Sequence, residues 1–326
     1  MTSVATRRVY IDSLAKGYDA PLEEGFKFLS ESVRITANCR VTIKPNLTFP
    51  EYAPGVMTSP EAVEAVVRYV RGFTNRITIC ESDSGGYNRF SMTEVFHTTG
   101  LDRIAAAHDA KLVNLSFEPS RNIAAHPGKR EVSVPMPTLL LDETDLFITM
   151  PVPKIHMNTT VSVAIKNQWG TIQDPSDRLR LHPDFQEVVY AVNKIHTKSV
   201  AIVDGKYGLT RTGPLRGDVV NLNWLLMCDD IFYTDRIVSS LMGFDYREIP
   251  YLQYAMAMEG IHPSTPCEAN TDWSKFQSDK FYLRREWTDY PGLVTFNSRA
   301  MAYIGYESAL ARPLHWLLYR FRQPFF

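Results

Sequence analysis

The sequence predicts an α/β fold with a mostly parallel, doubly wound sheet and helices on both faces. Amphipathic helical segments alternate with six short apolar runs, at residues 41–44, 77–81, 111–115, 146–150, 199–203 and 225–228. Strands that alternate with helices along a chain are typical of parallel sheets. Hydrophobic residues make up 44% of the 326 residues, which is enough for a large buried core.

Two helix starts are visible in the sequence. In the first, Thr58 and Ser59 offer a capping hydroxyl, Pro60 fits the first turn and Glu61 can reach back to the helix start. The apolar positions 62, 63, 66, 67 and 70 then fall on one helical face. The second start, Ser-Met-Thr-Glu at residues 91–94, is a capping box that predicts a helix to about residue 107. A connection rich in Pro and Arg spans residues 118–137.

We expect an α/β domain over residues 1–271, either continuous or divided into two lobes near residues 150–200. A different composition begins at residue 272, where aromatic residues become dense and, towards the end, mix with arginines. The sequence leaves three roles open for this helical, aromatic-rich C-terminal extension, residues 272–326. These roles are packing against the α/β domain, contact with a second subunit in a homo-oligomer, and binding at a membrane surface.

Composition and charge exclude several classes of protein. The formal net charge is −1 and the pI about 6.7, so the chain lacks the basic field that a nucleic-acid binder needs. The four cysteines, at 39, 80, 228 and 267, lie far apart and form no Cys-x-x-Cys pattern. We therefore expect reduced thiols and no iron–sulfur cluster. The first eleven residues lack the apolar core of a signal peptide, and no apolar run approaches the ~18 residues of a transmembrane helix, which favours a cytoplasmic protein.

Polar residues follow five of the predicted strands, beginning at Lys44, Glu81, Pro153, Asp204 and Asp229. The carboxyl ends of parallel strands meet at one edge of the sheet, where ligands of such folds bind. We therefore expect these residues to form one site, although each alone is as well explained by an ordinary solvated loop.

Four residues are candidates for catalysis. Pro45 holds Lys44 in line with its strand, so its ammonium can bind an anion or act as an acid. Glu81 opens an acceptor-rich turn and is a candidate base. His156 follows a strand end, and Lys166 follows an apolar run that should be buried, where a lysine needs a partner or a function.

Further residues are candidates for binding. The loop at residues 204–217 has four glycines and two arginines and could wrap an anion, or it is a mobile surface loop; it matches neither a P-loop nor a Gly-x-Gly-x-x-Gly motif. Asp83 and Asp204 are candidate ligands of a divalent metal ion. The candidates for substrate binding are Asn46, Ser82, Ser84, Lys154, Asn167, Arg211 and Arg216.

Six short motifs occur in order: Lys44-Pro-Asn, the helix start at residues 55–61, Glu81-Ser-Asp, Pro153-Lys-Ile-His, Ala164-Ile-Lys-Asn and Ile202-Val-Asp-Gly. Together they resemble the domain-of-unknown-function 362 family, over roughly residues 40–262. The family has no general activity that the resemblance implies. Many of its members carry a ferredoxin-like pair of iron–sulfur motifs, and this chain lacks the cysteines for them.

A more distant resemblance is to the nickel-pincer lactate racemase family. His156, Lys166 and His182 have that family's spacing, a lysine ten residues after the first histidine and a histidine sixteen residues further on. The resemblance implies a shared architecture, a lysine that anchors a nicotinate-derived nickel cofactor, and histidines that bind metal or move protons, with His182 as a candidate metal ligand. The Ser-Gly-Gly before the family's lysine is Val163-Ala-Ile here, and Lys44-Pro-Asn replaces an arginine-bearing loop.

The sequence therefore favours an enzyme that performs acid/base chemistry, with or without a divalent metal, on a small anionic metabolite, as an isomerase or a lyase does. The identity of any cofactor is left open. The alternative is a non-catalytic protein that binds a ligand in the same pocket, or an assembly protein that uses the C-terminal extension for a partner. A nucleophile elbow, a His-Glu-x-x-His helix and kinase motifs are absent from the sequence, which disfavours those mechanisms.

Overall fold

The computed structural model describes residues 6–48, 50–84 and 91–321. Its strands are β1 (Arg7–Ser13), β2 (Val41–Pro45), β3 (Ile77–Glu81), β4 (Lys111–Asn114), β5 (Ser120–Ala125), β6 (Val132–Pro137), β7 (Leu146–Met150), β8 (Lys154–His156), β9 (Thr160–Ser162), β10 (Ser199–Thr210), β11 (Asp218–Cys228) and β12 (Cys267–Ala269). Its α-helices are α1 (Asp19–Phe28), α2 (Pro60–Arg71), α3 (Met92–Thr98), α4 (Leu101–Ala107), α5 (Thr138–Asp142), α6 (Ala164–Asn167), α7 (Pro175–Arg180), α8 (Phe185–Asn193), α9 (Ile231–Leu241), α10 (Pro250–Met258), α11 (Tyr290–Asn297), α12 (Arg299–Ala302) and α13 (Ala311–Phe321).

One large sheet organises the fold, with strand order β12-β1-β11-β10-β7-β2-β3-β4 and with β8 and β9 attached at β10. The strands from β10 through β7, β2 and β3 to β4 are parallel, which confirms the prediction of a mostly parallel sheet. The sheet is continuous across residues 150–200, because β7 pairs directly with β10.

Helices cover both faces of the sheet, as the sequence predicts. Successive side chains of a strand point to opposite faces. Ile43, Ile148 and Ile202 pack with the apolar sides of α1 and α2 on one face. Phe147 and Val203 pack with α8, α9 and α10 on the other.

The start of α2 follows the predicted signals. Ser59 precedes the helix, and its side chain accepts a hydrogen bond from the backbone N–H of Ala62, while Pro60 occupies the first turn. The second predicted helix is different, because Gly100, with a φ of 78°, divides it into α3 and α4. Only glycine adopts this left-handed conformation without strain, so a continuous helix to about residue 107 is not formed.

Several elements are not predicted by the sequence analysis, among them β1 and a hairpin. β1 lies close to the N-terminus and pairs antiparallel with β11. The Pro- and Arg-rich connection at residues 118–137 contains the antiparallel hairpin of β5 and β6, in which Ser120 lies opposite Pro137.

β11 runs antiparallel to β10, with Ala201 opposite Cys228. The short connection between these strands allows this arrangement, whereas parallel strands need a long crossover. The expectation that all five strands end at one edge is therefore wrong for β11, whose end at Asp229 and Asp230 lies at the opposite edge. There Asp230 pairs with Arg7 at 2.7 Å and caps the start of α9.

The C-terminal extension is largely helical, with α11, α12, a π-helical turn at Tyr303–Glu307 and α13. No helix within the described ranges is long and apolar enough to cross a membrane.

Gly205 in β10 provides a test of the packing of the sheet. A Cβ at this position would overlap the indole ring of Trp224, which is 1% exposed and cannot move aside. We expect Gly205→Ala to lower the free energy of unfolding by about 1–3 kcal/mol in urea denaturation, the usual cost of overpacking. Gly305→Ala is the control, because a Cβ there meets nothing within 4 Å. Equal losses in both variants would contradict this account.

Candidate functional site

The candidate site lies at the carboxyl edge of β2, β3 and β7, beside α6. In the parallel register Lys44 lies opposite Thr149, and Glu81 ends the neighbouring strand. The chain passes from β7 through β8 and β9 directly into α6, so Lys154, His156 and Lys166 also reach this edge. Of the five predicted strand ends, the four at Lys44, Glu81, Pro153 and Asp204 therefore lie at one edge of the sheet. Asp204 lies at the margin of this group.

A buried ion pair forms the floor of the site. Lys44 and Glu81 are 1% and 3% exposed, and the Lys44 Nζ lies 2.7 Å from the Glu81 Oε2. The same ammonium donates to the Asn167 Oδ1 and to the carbonyl of Pro45, both at 3.2 Å. Its three protons therefore all have acceptors, and Lys44 acts as a fixed cross-link between β2, β3 and α6 in this geometry.

The side-chain nitrogen of Asn167 is hydrogen-bonded as well as its oxygen. Its Nδ2 donates to the Thr149 Oγ1 at 2.9 Å and to the backbone carbonyl of Lys44 at 3.3 Å. Close to this pair, a Cβ on Gly170 would lie 3.0 Å from the Glu81 Oε1 and 3.1 Å from the Lys44 Nζ. Glycine at this position therefore allows the backbone to approach the ion pair closely.

Ser82 and Asp83 are joined to α7 by Arg178, a residue that sequence reasoning missed. The Ser82 hydroxyl donates to the carbonyl of Gly170 and accepts from the Arg178 Nη2 at 2.9 Å. Burial lowers the pKa of Arg178 to about 10, although Glu81 and Asp83 oppose the shift. No signal in the sequence indicates this role, because the polar, arginine-rich composition of α7 is typical of a solvent-exposed helix.

Asp83 is engaged in local structure. Its Oδ1 accepts from the backbone N–H of Met92 at 2.6 Å and from the Asn114 Nδ2 at 2.9 Å. It thereby connects the end of β3 to the start of α3 and to β4. Ser84 follows directly, and Gly85 and Gly86 of the predicted acceptor-rich turn lie outside the described residues.

Lys154, His156, Lys166 and His182 form a second group, called here the lysine–histidine cluster. The Lys154 Nζ donates to the carbonyl of Val56 at 2.7 Å. The His156 Nδ1 accepts from the backbone N–H of Asn158 at 3.1 Å, which leaves Nε2 as the nitrogen that carries the proton in the neutral ring. No aspartate or glutamate among the described residues forms an ion pair with any of the four.

Aromatic side chains enclose this cluster. His182 lies between the rings of Phe185 and Phe296, with centroids 5.2 and 5.1 Å away. The Lys166 Nζ lies 4.9 Å from the centroid of the Phe185 ring. Trp169 meets the His182 ring edge-on at 5.8 Å. The apolar walls favour the uncharged forms of the basic groups they surround.

The pKa values of the cluster are all lowered, and burial is the largest cause for each. The pKa falls to about 7 for Lys154 and Lys166 and to about 3 for His182. The pKa of His156 falls well below its ordinary value, first through burial and then through repulsion from Lys166, His182 and Lys154. Asn158 connects two of the four groups, because its backbone N–H donates to His156 and its Nδ2 lies 3.4 Å from the ring nitrogens of His182.

Asp235 is a second residue that sequence reasoning missed. Its Oδ1 accepts from the backbone N–H groups of Ala164 and Ile165, at 2.7 and 3.1 Å, and so holds the start of α6. Burial raises its pKa to about 7. The only signal in the sequence is an aspartate within the apolar run of α9.

The remaining predicted residues lie in different surroundings. Asp204 accepts from the Tyr18 hydroxyl at 2.7 Å and from the backbone N–H of Ser59 at 2.8 Å, and so anchors α2. Asn46 donates to the carbonyl of Val56 at 2.7 Å. Arg211 pairs with Asp218 and Glu286, and Arg216 is exposed.

The three predicted metal ligands are not brought together. Asp83 lies at the start of α3, Asp204 at the start of α2, and His182 between two phenylalanine rings. Within the ranges that the structure describes, no three His, Cys, Asp or Glu side chains are grouped so that they could hold a metal ion.

The C-terminal extension covers part of the site. Besides the ring of Phe296 on His182, Asn297 donates to the Asn158 Oδ1 at 3.0 Å. Arg299 pairs with Asp184, which follows His182 closely in the chain, at 2.5 Å. α11 and α12 therefore form a roof over the His182 side of the lysine–histidine cluster.

The ion pair can be tested by removing one or both charges. Lys44→Met leaves Glu81 buried without its partner, so we expect a loss of about 3–5 kcal/mol in the free energy of unfolding. Lys44→Met/Glu81→Gln removes both charges and should recover most of that loss, as measured by urea denaturation. A double variant no more stable than the single variant would show that the pair is not the source of the effect.

The lowered pKa of Lys166 can be tested by amine labelling. At pH 8 a lysine with a pKa of about 7 is roughly 90% neutral, whereas an ordinary lysine is well below 1% neutral. We expect trace acetylation of Lys166, read by peptide mass spectrometry from pH 6 to 10, to rise with a midpoint near 7. Lys27, which is exposed, is the control in the same digest. Parallel profiles for the two lysines would exclude the shift.

Comparison with known proteins agrees with the family predicted from the sequence motifs. The profile of the family described as a domain of unknown function (DUF362) matches residues 41–240. A thylakoid-associated protein of Synechocystis sp. is 24% identical over 233 residues, which cover 69% of each chain.

Two solved structures are more distant. A protein from Thermotoga maritima has a TM-score of 0.40 at 12% identity, covering 58% of this chain and 51% of its own. The lactate racemase apoprotein from Thermoanaerobacterium thermosaccharolyticum has a TM-score of 0.38 at 14% identity, covering 61% and 50%. This chain thus spans about half the length of these structures. With residues 41–240, more than half of its length, matched by the family profile, the chain belongs to the DUF362 family.

Proposed function

We propose that this protein is an enzyme that moves a proton on a small anionic substrate bound at the lysine–histidine cluster. The observation that carries the proposal is the burial of Lys154, His156 and His182, with Lys166 in the same cluster, without a carboxylate partner among the described residues and with every pKa lowered. Structural lysines of this kind are normally paired with a carboxylate. A bound anion would supply the missing negative charge.

Lys166 and His156 are the groups that move protons in this proposal. An acid or base works best when its pKa lies near the working pH, and the pKa of Lys166 is about 7. The His156 Nδ1 is occupied by a backbone N–H, so its Nε2 is the nitrogen available to a substrate. Lys154, fixed to the carbonyl of Val56, serves to bind the anion rather than to transfer a proton.

Proton transfer at carbon suits an isomerase or a lyase, and the enclosure by Trp169, Phe185 and Phe296 suits a small substrate. Lys166 also fits as an attachment point for an organic cofactor, because its amine is neutral in about half of the molecules near pH 7. In one form of the proposal Lys166 transfers the proton itself, and in the other it carries an organic cofactor. Metal analysis and the intact mass of the freshly purified protein, with Lys166→Met beside the wild type, distinguish these two forms.

The second candidate is a protein that binds the same anion without chemistry. The observation in its favour is the roof formed by α11, which places Phe296 over His182 and would suit a protein that holds its ligand. The C-terminal extension would then bind a partner protein, as expected of an assembly protein.

Anion binding should depend on pH. An anion stabilises the protonated forms of Lys154 and Lys166, so we expect the affinity to be highest below pH 7 and to fall as the pH rises through about 7–8. Isothermal titration with a panel of small carboxylates and phosphate monoesters at pH 6 and pH 8 measures this. Lys166→Met should weaken binding at pH 6 at least about tenfold, and the surface control Lys27→Met should not. Tighter binding at pH 8 would contradict an anion site.

Catalysis is separated from binding by hydrogen exchange. In D₂O the enzyme should replace the hydrogen next to the carboxylate of a bound ligand with deuterium, read by mass spectrometry. His156→Ala and Lys166→Met should slow the exchange by about 10²–10⁴-fold. Exchange in neither the wild type nor the variants, for a ligand that binds, would favour the second candidate.

A further inference from the structure

The C-terminal extension exposes an unusual amount of apolar surface. Of the fifteen large apolar side chains that are exposed among the described residues, ten lie between residues 287 and 317. They are Trp287, Tyr290, Val294, Met301, Tyr303, Ile304, Leu310, Leu314, Trp316 and Leu317. Single exposed apolar residues are ordinary on a protein surface, whereas a dense group of them marks an interaction site.

α13 presents the most regular part of this surface. Leu310, Leu314 and Leu317 are 63%, 38% and 49% exposed, and their spacing of four and three residues places them in one stripe. Ala311 is 2% exposed, so the helix packs on the protein with a different side. An amphipathic helix normally buries its leucines, whereas α13 turns Leu314 and Leu317 to solvent.

The sequence that carries the stripe is basic, and the exposed Glu307 precedes it. Residues 308–326 contain three arginines, at 312, 320 and 322, and no aspartate or glutamate. Arg312 is exposed, and Trp316 is 61% exposed. Leucines that enter the acyl chains, a tryptophan at the interface and arginines that bind phosphate groups are the composition of helices that lie on anionic membranes.

We propose that α13 binds the surface of a membrane that contains anionic lipids, lying in the plane of the headgroups. The helix has eleven residues and is about 16 Å long, too short to span a bilayer. A second copy of the chain fits the face less well. A two-fold interface would place the same basic segment against itself, which brings like charges together.

The test is co-sedimentation with 100 nm vesicles of phosphatidylcholine alone or of equal parts of phosphatidylcholine and phosphatidylglycerol. The full chain should pellet with the anionic vesicles, less so at high salt, and not with phosphatidylcholine alone. Leu314→Asp/Leu317→Asp should lower the partition at least about tenfold, and Arg312→Gln should weaken it several-fold. Both leucines are already exposed, so the fold should survive, which circular dichroism checks.

Phe117→Asp is the matched control, because Phe117 is 73% exposed and lies far from α13 in the chain. Equal pelleting of the leucine variant, binding that does not distinguish the two kinds of vesicle, or the absence of vesicle binding would each overturn the proposal. Concentration-dependent dimerisation that Leu314→Asp/Leu317→Asp abolishes, in a protein that does not bind vesicles, would assign the stripe to a second copy instead.

Discussion

The buried pair of Lys44 and Glu81 is the interaction on which the candidate site depends. It joins the ends of two neighbouring strands, and the third contact of the lysine, with Asn167, attaches α6 to the sheet. At the other end of α6, Asp235 accepts the first two backbone N–H groups. A helix of four residues has little stability of its own, so these contacts decide where Lys166 lies. Buried ion pairs add little net stability, and the value of this one is geometric.

The lysine–histidine cluster costs stability because it removes basic groups from water without negative partners. The pKa of Lys166 is about 7 in the folded protein and about 10.5 in an unfolded chain, so between these values the unfolded state binds more protons and stability rises with pH. Asp235 acts in the opposite direction, because its pKa of about 7 exceeds its ordinary value of 3.8 and stability falls as the pH rises from about 4 to 7. Below about pH 6.5 the histidines of the cluster oppose Asp235, because the pKa of His182 is about 3 and that of His156 also lies below its ordinary value, so their effect on stability rises with pH.

The sequence predicted the architecture and most of the edge at which the site lies, because strand–helix alternation and strand-end polarity are local signals. Lys44, Glu81, Lys166 and Asn167 follow directly from that reasoning. In the structure Lys44 is bonded to Glu81 and to Asn167, and Lys166 precedes Asn167 in α6. The direction of β11 could not be predicted, since it depends on which strand it pairs with, and Asp229 was therefore placed at the wrong edge. Arg178 and Asp235 were missed for a related reason: their partners are 96 and 71 residues away in the chain.

The roof over the cluster restricts what the site can bind. Phe296 stacks on His182, and Asn297 is bonded to Asn158, so a ligand that covers His182 has to displace α11. A ligand that reaches only Lys166 and His156 leaves these contacts intact and costs no rearrangement of the C-terminal extension. Because lost packing against an aromatic ring is costly, the second arrangement is favoured. For the function that we propose, this favours a compact anion that contacts the lysines, with His182 and its two phenylalanine neighbours on one side of it.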